Sequence, residues 1–564
     1  MRILSSTLAV GLVLSYVVWL MPPAHGQNWQ QEFLKGIKSE SSDTRREAVE
    51  AIDSDSRAGV KAILAVLGNK SVARVDWYQL GPTIAKISFI SEEKPKKDLE
   101  KLLKKLVKRS RDPMALSIVL EGVSEIDDDR FWQHYDTVFS PKARHPARVK
   151  RSAILAMGRT LELRFVDRIL EAWTQAAEEL DYRMVLACRD ALREITEQDF
   201  GRELKRWQAF WDENKTGYVK PSELDEPEEE SNDEDEEATE ARDEREKKSR
   251  VTTVTREMPL SFTTTGREGA LALLVVHDDT WSPAYFDPYL SCLDDLFKIY
   301  YVELPSISQL EEVYKDKPEK LKRNIGGYPF YPYDALCDAF DDARKEQGHQ
   351  RFALFAHGFS TMVAQRYLSK YADNVSHAIM VGTFPGDDAY GNMLDRLRAK
   401  GSSTRDKELE RAVDFHFITD EKTFTRFYDP KDDRELQALE RKWFTIMFAD
   451  RTDPEISDLW DKARLPQSSS LKLTVKEQCQ SPPFDVMREK RPAIPVLVIS
   501  GKKSIWFGEA DGERVAKNYP INKHVVLPDA ANMPWFDDPA GFQRAVRDFM
   551  RQYPEGGAQK GRKR

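Results

Sequence analysis

Cysteine is scarce in this chain. Four occur in 564 residues: Cys188, Cys292, Cys337 and Cys479. They are far apart and form no Cys-x-x-Cys pair, which excludes the usual spacing of a zinc site. Pairing of some of them in an oxidising compartment and retention as buried free thiols both stay open. A net positive charge is also lacking. The net charge is −9, much of it in one block, so nucleic acid is not the partner to expect. Beyond residue 26 no apolar run approaches membrane-spanning length.

The first 26 residues carry the marks of an export signal. Arg2 gives a basic start and Ile3 to Leu20 is mostly apolar. Met21-Pro22-Pro23 breaks the run, and Ala24-His25-Gly26 offers small residues before a cut at Gln27. The expectation is a periplasmic or secreted protein with no stable membrane span once residues 1–26 are removed. The alternative is an uncleaved anchor, since the run is nearly long enough to span.

Residues 27–218 read as helix after helix. Val60, Ile63, Leu64 and Leu67 share a face, as do Val185, Cys188, Leu192 and Ile195. Short polar breaks separate the helices, among them Arg111-Asp112-Pro113 and His145-Pro146. Two segments resemble HEAT-type repeats: Pro146 to Ala153, and Asp181-Tyr182-Arg183 leading to Ala191-Leu192. Stacked helix pairs bury their faces only against neighbours, so the expected architecture is an all-α HEAT-like solenoid. Trp207, Phe210 and Trp211 at its end read as a capping core. Residues 219–255 change character. Glu223 to Glu246 is dominated by Asp and Glu, cannot bury enough surface to offset chain entropy, and reads as an acidic disordered linker.

From 256 to 554 short strands alternate with helices. Leu271–Val276, Phe297–Val302, Phe352–Phe355, Ala378–Val381, Val496–Ser500 and His524–Leu527 read as strands. Tyr333–Lys345, Thr361–Tyr371, Asp511–Asn518 and Pro539–Arg551 read as helices. Such alternation predicts a mostly parallel sheet covered on both faces. Residues 385–491 interrupt it and look helical, as at Glu435 to Phe448. The basic stretch 555–564 reads as a tail.

The most informative stretch is Arg351 to Asn374. An apolar strand runs straight into a helical pattern through Ala356-His357-Gly358-Phe359-Ser360. This segment resembles the nucleophile elbow of the α/β-hydrolase superfamily. The likeness extends over 256–554, with the insert at 385–491 in the place of that family's lid. Ala284 to Leu290, read as a helix, the lid position and the elbow helix at Met362 to Tyr367 are most similar to proline iminopeptidase-like members. The resemblance implies a Ser, an acid and a His acting together. The elbow position, however, holds Gly358. Val496 to Ser504 resembles the strand and turn of the acid, with Ser504 in its place. Leu527 to Phe536 resembles the loop of the His, with Asn532 in its place. None of the three can supply the missing group: glycine has no hydroxyl, serine no charge, and an amide is no base. The former oxyanion and cleft region falls on His277, Asp278 and Phe359, where adjacent carboxylates at Asp278 and Asp279 would oppose a developing oxyanion. Glycine at the elbow would relieve the strain of its positive φ.

Two rescues are conceivable. Ser360 is a displaced nucleophile candidate, two residues into the turn, where a small residue ordinarily packs helix on strand. Asp278, Asp279, Asp387 and Asp388 would be a metal site only if they gathered at one sheet edge, and paired Asp residues are more commonly solvated. The expectation is therefore no cofactor, no metal, and an exported pseudohydrolase that binds or scaffolds a protein, peptide or small molecule. The alternative is a divergent serine hydrolase or aminopeptidase-like enzyme using a residue such as Ser360.

Overall fold

The computed structural model describes Lys35, residues 93–223 and residues 250–554, apart from internal stretches of which the longest are 319–332, 411–439 and 465–491. The expected signal, the helices before residue 93, the body of the acidic linker, Cys479 and the basic tail lie outside the described residues.

The first part is helical. Among the described residues seven α-helices precede the sheet: α1 (Glu93–Arg109), α2 (Pro113–Ser124), α3 (Trp132–Val138), α4 (Ala147–Arg159), α5 (Val166–Glu179), α6 (Tyr182–Thr196) and α7 (Leu204–Asn214). Their apolar stripes meet: α2 and α6 both pack on α4, and α5 packs on α6. Asp181 begins α6 by accepting the Met184 N–H with its side chain, satisfying a donor of the first turn. Trp207 and Trp211 are buried, and Trp207 packs edge-on to Phe200 at 4.9 Å, closing the end of the array as a core should.

The second part is one eight-stranded sheet: β1 (Arg250–Val254), β2 (Pro259–Gly266), β3 (Leu271–Val276), β4 (Phe297–Glu303), β5 (Phe352–His357), β6 (Val375–Val381), β7 (Pro495–Gly501) and β8 (Ile521–Leu527). Their order is β1-β2-β4-β3-β5-β6-β7-β8. The β1–β2 and β2–β4 pairs are antiparallel and all others parallel. This part of the chain has an α/β-hydrolase fold. β5 and β6 lie in the middle, every residue buried, which is why they read as unbroken apolar runs. Helices α8 (Ile307–Val313), α9 (Tyr333–Glu346), α10 (Ser360–Tyr371), α11 (Asp387–Thr404), α12 (Glu455–Ala463), α13 (Glu509–Ala516), α14 (Pro534–Asp537) and α15 (Pro539–Gln552) complete it.

Three expectations are corrected. Arg250–Val254, assigned to the linker, is an edge strand in register with β2 from Arg250↔Thr263 to Val254↔Pro259. Its Thr and Val residues suit a pleated edge, but the charged stretch before it hides the signal. Ser222, also assigned to the linker, is tied back to the helical half, its N–H and hydroxyl both donating to Glu197. The described residues of 284–290 are not α-helical: 3₁₀ turns occupy Pro283–Tyr285 and Tyr289–Leu293. Pro283 and Pro288 lack the N–H groups that a longer helix there would need. Cys188, Cys292 and Cys337 are free and buried.

Candidate functional site

The elbow turn forms where the strand ends. Gly358 follows β5 at φ +62°, and α10 begins at Ser360. That φ favours glycine, because a Cβ there meets the backbone. The Gly358 N–H donates to the Val381 carbonyl of β6 at 2.9 Å. The Gly358 carbonyl accepts the Thr361 hydroxyl at 2.7 Å, and Thr361 Oγ1 in turn accepts the Phe384 N–H at 2.9 Å. The turn is thus fastened to the end of β6 on both sides.

Ser504 and Asn532 come together. Ser504 lies on the turn after β7, and its hydroxyl donates to Asn532 Oδ1 at 2.5 Å while accepting the Trp506 N–H at 3.2 Å. Asn532 lies on the loop between β8 and α14. Its N–H donates to the Met447 carbonyl at 2.9 Å, and its amide lies over Gly382 at the end of β6. Asn532 reaches the elbow through a histidine. His357 Nε2 donates to the Asn532 carbonyl at 3.0 Å, and Nδ1 accepts from Tyr285 Oη at 2.9 Å. A carbonyl only accepts, which fixes the Nε2–H tautomer. Burial holds the His357 pKa down at about 3; nearby His277 lowers it further, and the Asn532 bond opposes both. The ring is neutral near pH 7, with both nitrogens engaged.

Ser360 is fully buried and spends its hydroxyl on the backbone. It lies 2.9 Å from the Val276 carbonyl and 2.8 Å from the His357 carbonyl, and accepts the His357 N–H at 3.2 Å. These bonds tie the ends of β3 and β5 to the start of α10. Phe359 is buried among aromatic rings: Phe384 at 5.8 Å, Trp506 at 5.8 Å and Phe507 at 5.4 Å. Trp443 of the insert packs on Trp506 at a tilt, with ring centres 4.5 Å apart. His277 is buried, and Asp278 and Asp279 lie outside the described residues. Asp387 and Asp388 sit in the first turn of α11. No group of three or more metal-ligating side chains occurs among the described residues.

A serine does lie beside a histidine, but elsewhere. Ser500 Oγ on β7 is 3.0 Å from His524 Nε2 on β8. Both pack under α13 at Gly512, where a Cβ would come within 2.1 Å of Ser500 Oγ and 2.8 Å of His524 Nε2. Burial lowers the His524 pKa, while Glu509 and Glu513 act against it. Ser500 is buried, and the pair links β7 to β8 beneath the close approach of α13 at Gly512. Sequence reasoning missed it, and missed Tyr285 as the partner of His357, because neither pairing leaves a local pattern.

The larger omission is a charged seam between the two halves. Arg183 of α6 is buried, donates to Asp453 at 2.7 Å and to Glu455, and gives a weaker bond of 3.3 Å to the Phe536 carbonyl. Its guanidinium lies 3.6 Å from the centre of the Phe536 ring. Arg151 of α4 stands 3.5 Å from Asp453 and 3.7 Å from Glu455, and Arg148 binds Asp450 at 3.0 Å. Against the cost of burial, these arginines hold the Asp453 pKa down at about 2. Asp537 behaves oppositely. It accepts the Ala531 and Ala449 N–H groups at 2.8 and 3.0 Å, yet burial pushes its pKa up to about 7.

No family model matches the chain. Over 136 residues, 24% of the chain, it is 29% identical to a 1-acylglycerol-3-phosphate O-acyltransferase of Arabidopsis thaliana, a stretch spanning 30% of that protein's length. Among solved structures it is similar to a thermophilic esterase from Thermogutta terrifontis, with 18% identity, a TM-score of 0.39, and 54% of this chain and 98% of that one covered. An esterase from a Rhodococcus species gives 17% identity and a TM-score of 0.39 over 54% and 99% of the two chains. A membrane phospholipase A described as a bacterial virulence factor gives 11% identity and a TM-score of 0.39 over 57% and 92%.

Proposed function

We propose that this chain is a hydrolase fold without hydrolase chemistry, an exported protein that binds or scaffolds a partner, with a HEAT-like helical half presenting part of the interaction surface. One observation carries the reading. The positions of nucleophile, acid and base hold Gly358, Ser504 and Asn532, and Ser504 and Asn532 are hydrogen-bonded to each other. Two neutral groups bond to each other where a carboxylate would orient a base. The neighbouring His357 is neutral and doubly bonded, and the Ser360 hydroxyl is held by backbone. Loss of triad members removes roughly four to six powers of ten in rate.

The insert between β6 and β7 keeps the proline iminopeptidase-like comparison in play as a source of the fold. The support from residues 284–290 falls with the 3₁₀ turns found there. The acyltransferase relative raises acyl transfer as the activity to include in a screen.

The test uses the full chain. Purified protein is assayed against aryl esters, aminoacyl arylamides and an acyl donor with 1-acylglycerol-3-phosphate, and is treated with a serine-reactive fluorophosphonate. No turnover and no labelling are expected. Turnover by wild type, or labelling lost in Ser360→Ala, overturns the reading in favour of a divergent serine hydrolase. A Gly358→Ser, Ser504→Asp, Asn532→His variant run alongside shows whether restoring the reactive groups suffices.

A further inference from the structure

The charged seam does more than join two halves. Its acidic side lies neither on the sheet nor on the helices covering it, but on the insert. Asp450, Asp453 and Glu455 belong to the corner leading into α12. The same corner is stitched to the loop of Asn532: Met447 accepts the Asn532 N–H, Ala449 donates to Asp537, and Phe448 packs on Phe536 at 4.9 Å. Arg183 touches both partners of that stitching, Asp453 on one side and the Phe536 ring and carbonyl on the other.

We infer that the helical half is the latch of the corner at 440–464: Arg151 and Arg183 hold Asp453 and Glu455 against the loop carrying Asn532, so this corner lifts from that loop only when the two halves part. Several features favour a latch over an incidental contact. Arg183, Arg151 and Asp453 are each more than nine-tenths buried. Lifting the corner gives up these buried ion pairs and hydrogen bonds together, so the arginines hold it down for as long as they stay in place. The contact extends past the insert. Tyr182 and Ser291 share a hydrogen bond of 2.7 Å, Gln543 donates to the Leu180 carbonyl at 3.1 Å, and Arg202 donates to the Ser291 carbonyl at 2.6 Å. These fix α6 and its flanking residues to the sheet domain. The arginines also come from the two repeat-like segments, Pro146 to Ala153 and Asp181 to Arg183. A partner that reshaped the helical array would therefore act on the insert through them. This inference is independent of whether the elbow retains any chemistry.

The experiment is hydrogen–deuterium exchange on the full chain and on Arg183→Gln and Arg151→Gln. In Arg183→Gln, amides of 440–464 are expected to exchange about 100-fold faster, while β5 and β7 peptides keep their wild-type rates. Arg151→Gln, whose ion pairs are longer, is expected to show a smaller rise in the same peptides. Wild-type rates at 440–464 in both variants overturn the inference. Should Arg183→Gln expose the whole fold, wild type in a mild denaturant series decides. A latch requires α6 and 440–464 to open in one step, ahead of β5 and β7. Opening of 440–464 at lower denaturant than α6 overturns it.

Discussion

At the elbow the paired polar groups are neutral, whereas at the seam they are charged and reach across more than 250 residues of sequence. Ser504 and Asn532 pair as hydroxyl and amide; Arg183 and Asp453 pair as cation and anion. The two places are neighbours: Asn532 lies on the loop after β8 and Asp537 closes α14, which follows it. The difference teaches what each place is for. A neutral pair can be replaced at small cost, since it carries no charge to strand. A buried ion pair is costly to break but not to replace wholesale, so it marks where relative position matters.

The largest predicted effect breaks the charged side alone. Asp453→Asn leaves Arg183 and Arg151 short of an anion, and should cost about 3–5 kcal/mol in the unfolding of the full chain by denaturant. Arg183→Met with Asp453→Leu, which removes the charges together, should recover most of that loss. Equal losses in the single and double variants would place the stability in shape and not in charge.

The pH dependence separates the two places further, because His357 and Asp537 titrate in opposite senses. His357 has a folded pKa of about 3 against 6.5 for the free side chain. Its contribution is complete above pH 6.5 and falls by about 1.4 kcal/mol per unit as pH drops toward 3. Asp537 has a folded pKa of about 7 against 3.8. The folded chain holds its proton where the unfolded chain has lost it, so its contribution falls by a similar amount per unit as pH rises from 3.8 toward 7. Between those limits the two slopes oppose each other. Relative to wild type, His357→Gln should lose stability as pH rises from 4 to 6.5, and Asp537→Asn should gain it. Unfolding midpoints across that range, taken as differences from wild type, check both signs.

Gly358→Ala comes next. A Cβ at φ +62° should cost about 1–3 kcal/mol, with Gly358→Asn costing less because asparagine tolerates the left-handed region. Thermal unfolding of the two variants ranks them; equal values would mean that the turn relaxes.

How far these places were legible differs for a physical reason. The elbow is local. An apolar run, a glycine and a helical stripe lie within Arg351 to Asn374, so the turn and its occupant read directly from spacing. The central strands were likewise visible, and only their ends moved: Phe352–Phe355 grows to His357, and Ala378–Val381 begins at Val375. Arg183 shows the opposite case. On a helix an arginine reads as part of the solvated face, and its partner lies 270 positions away. No periodicity records a contact of that kind. Tyr285 and His357 were hidden in the same way, as was the strand at Arg250, masked by the charged stretch before it.

The smallest predicted effect concerns the neutral pair. Ser504→Ala removes the only donor seen on Asn532 Oδ1 among the described residues, and should cost about 1 kcal/mol. Ser504→Asp is the sharper probe. Asn532 Nδ2 is buried without an acceptor among the described residues. A turn of the amide would point Nδ2 at the new carboxylate and leave Oδ1 in its place, so the position has a donor ready for an acid. Ser504 is only partly buried, which limits the cost of the charge. Ser504→Asp should therefore unfold at a temperature equal to or above that of Ser504→Ala at pH 7, and lose that advantage as the carboxylate protonates near pH 4. The reverse order at pH 7 would mean that the amide is locked as it stands, and that the neutral pairing of Ser504 with Asn532 is as exacting as the charged pairing across the seam.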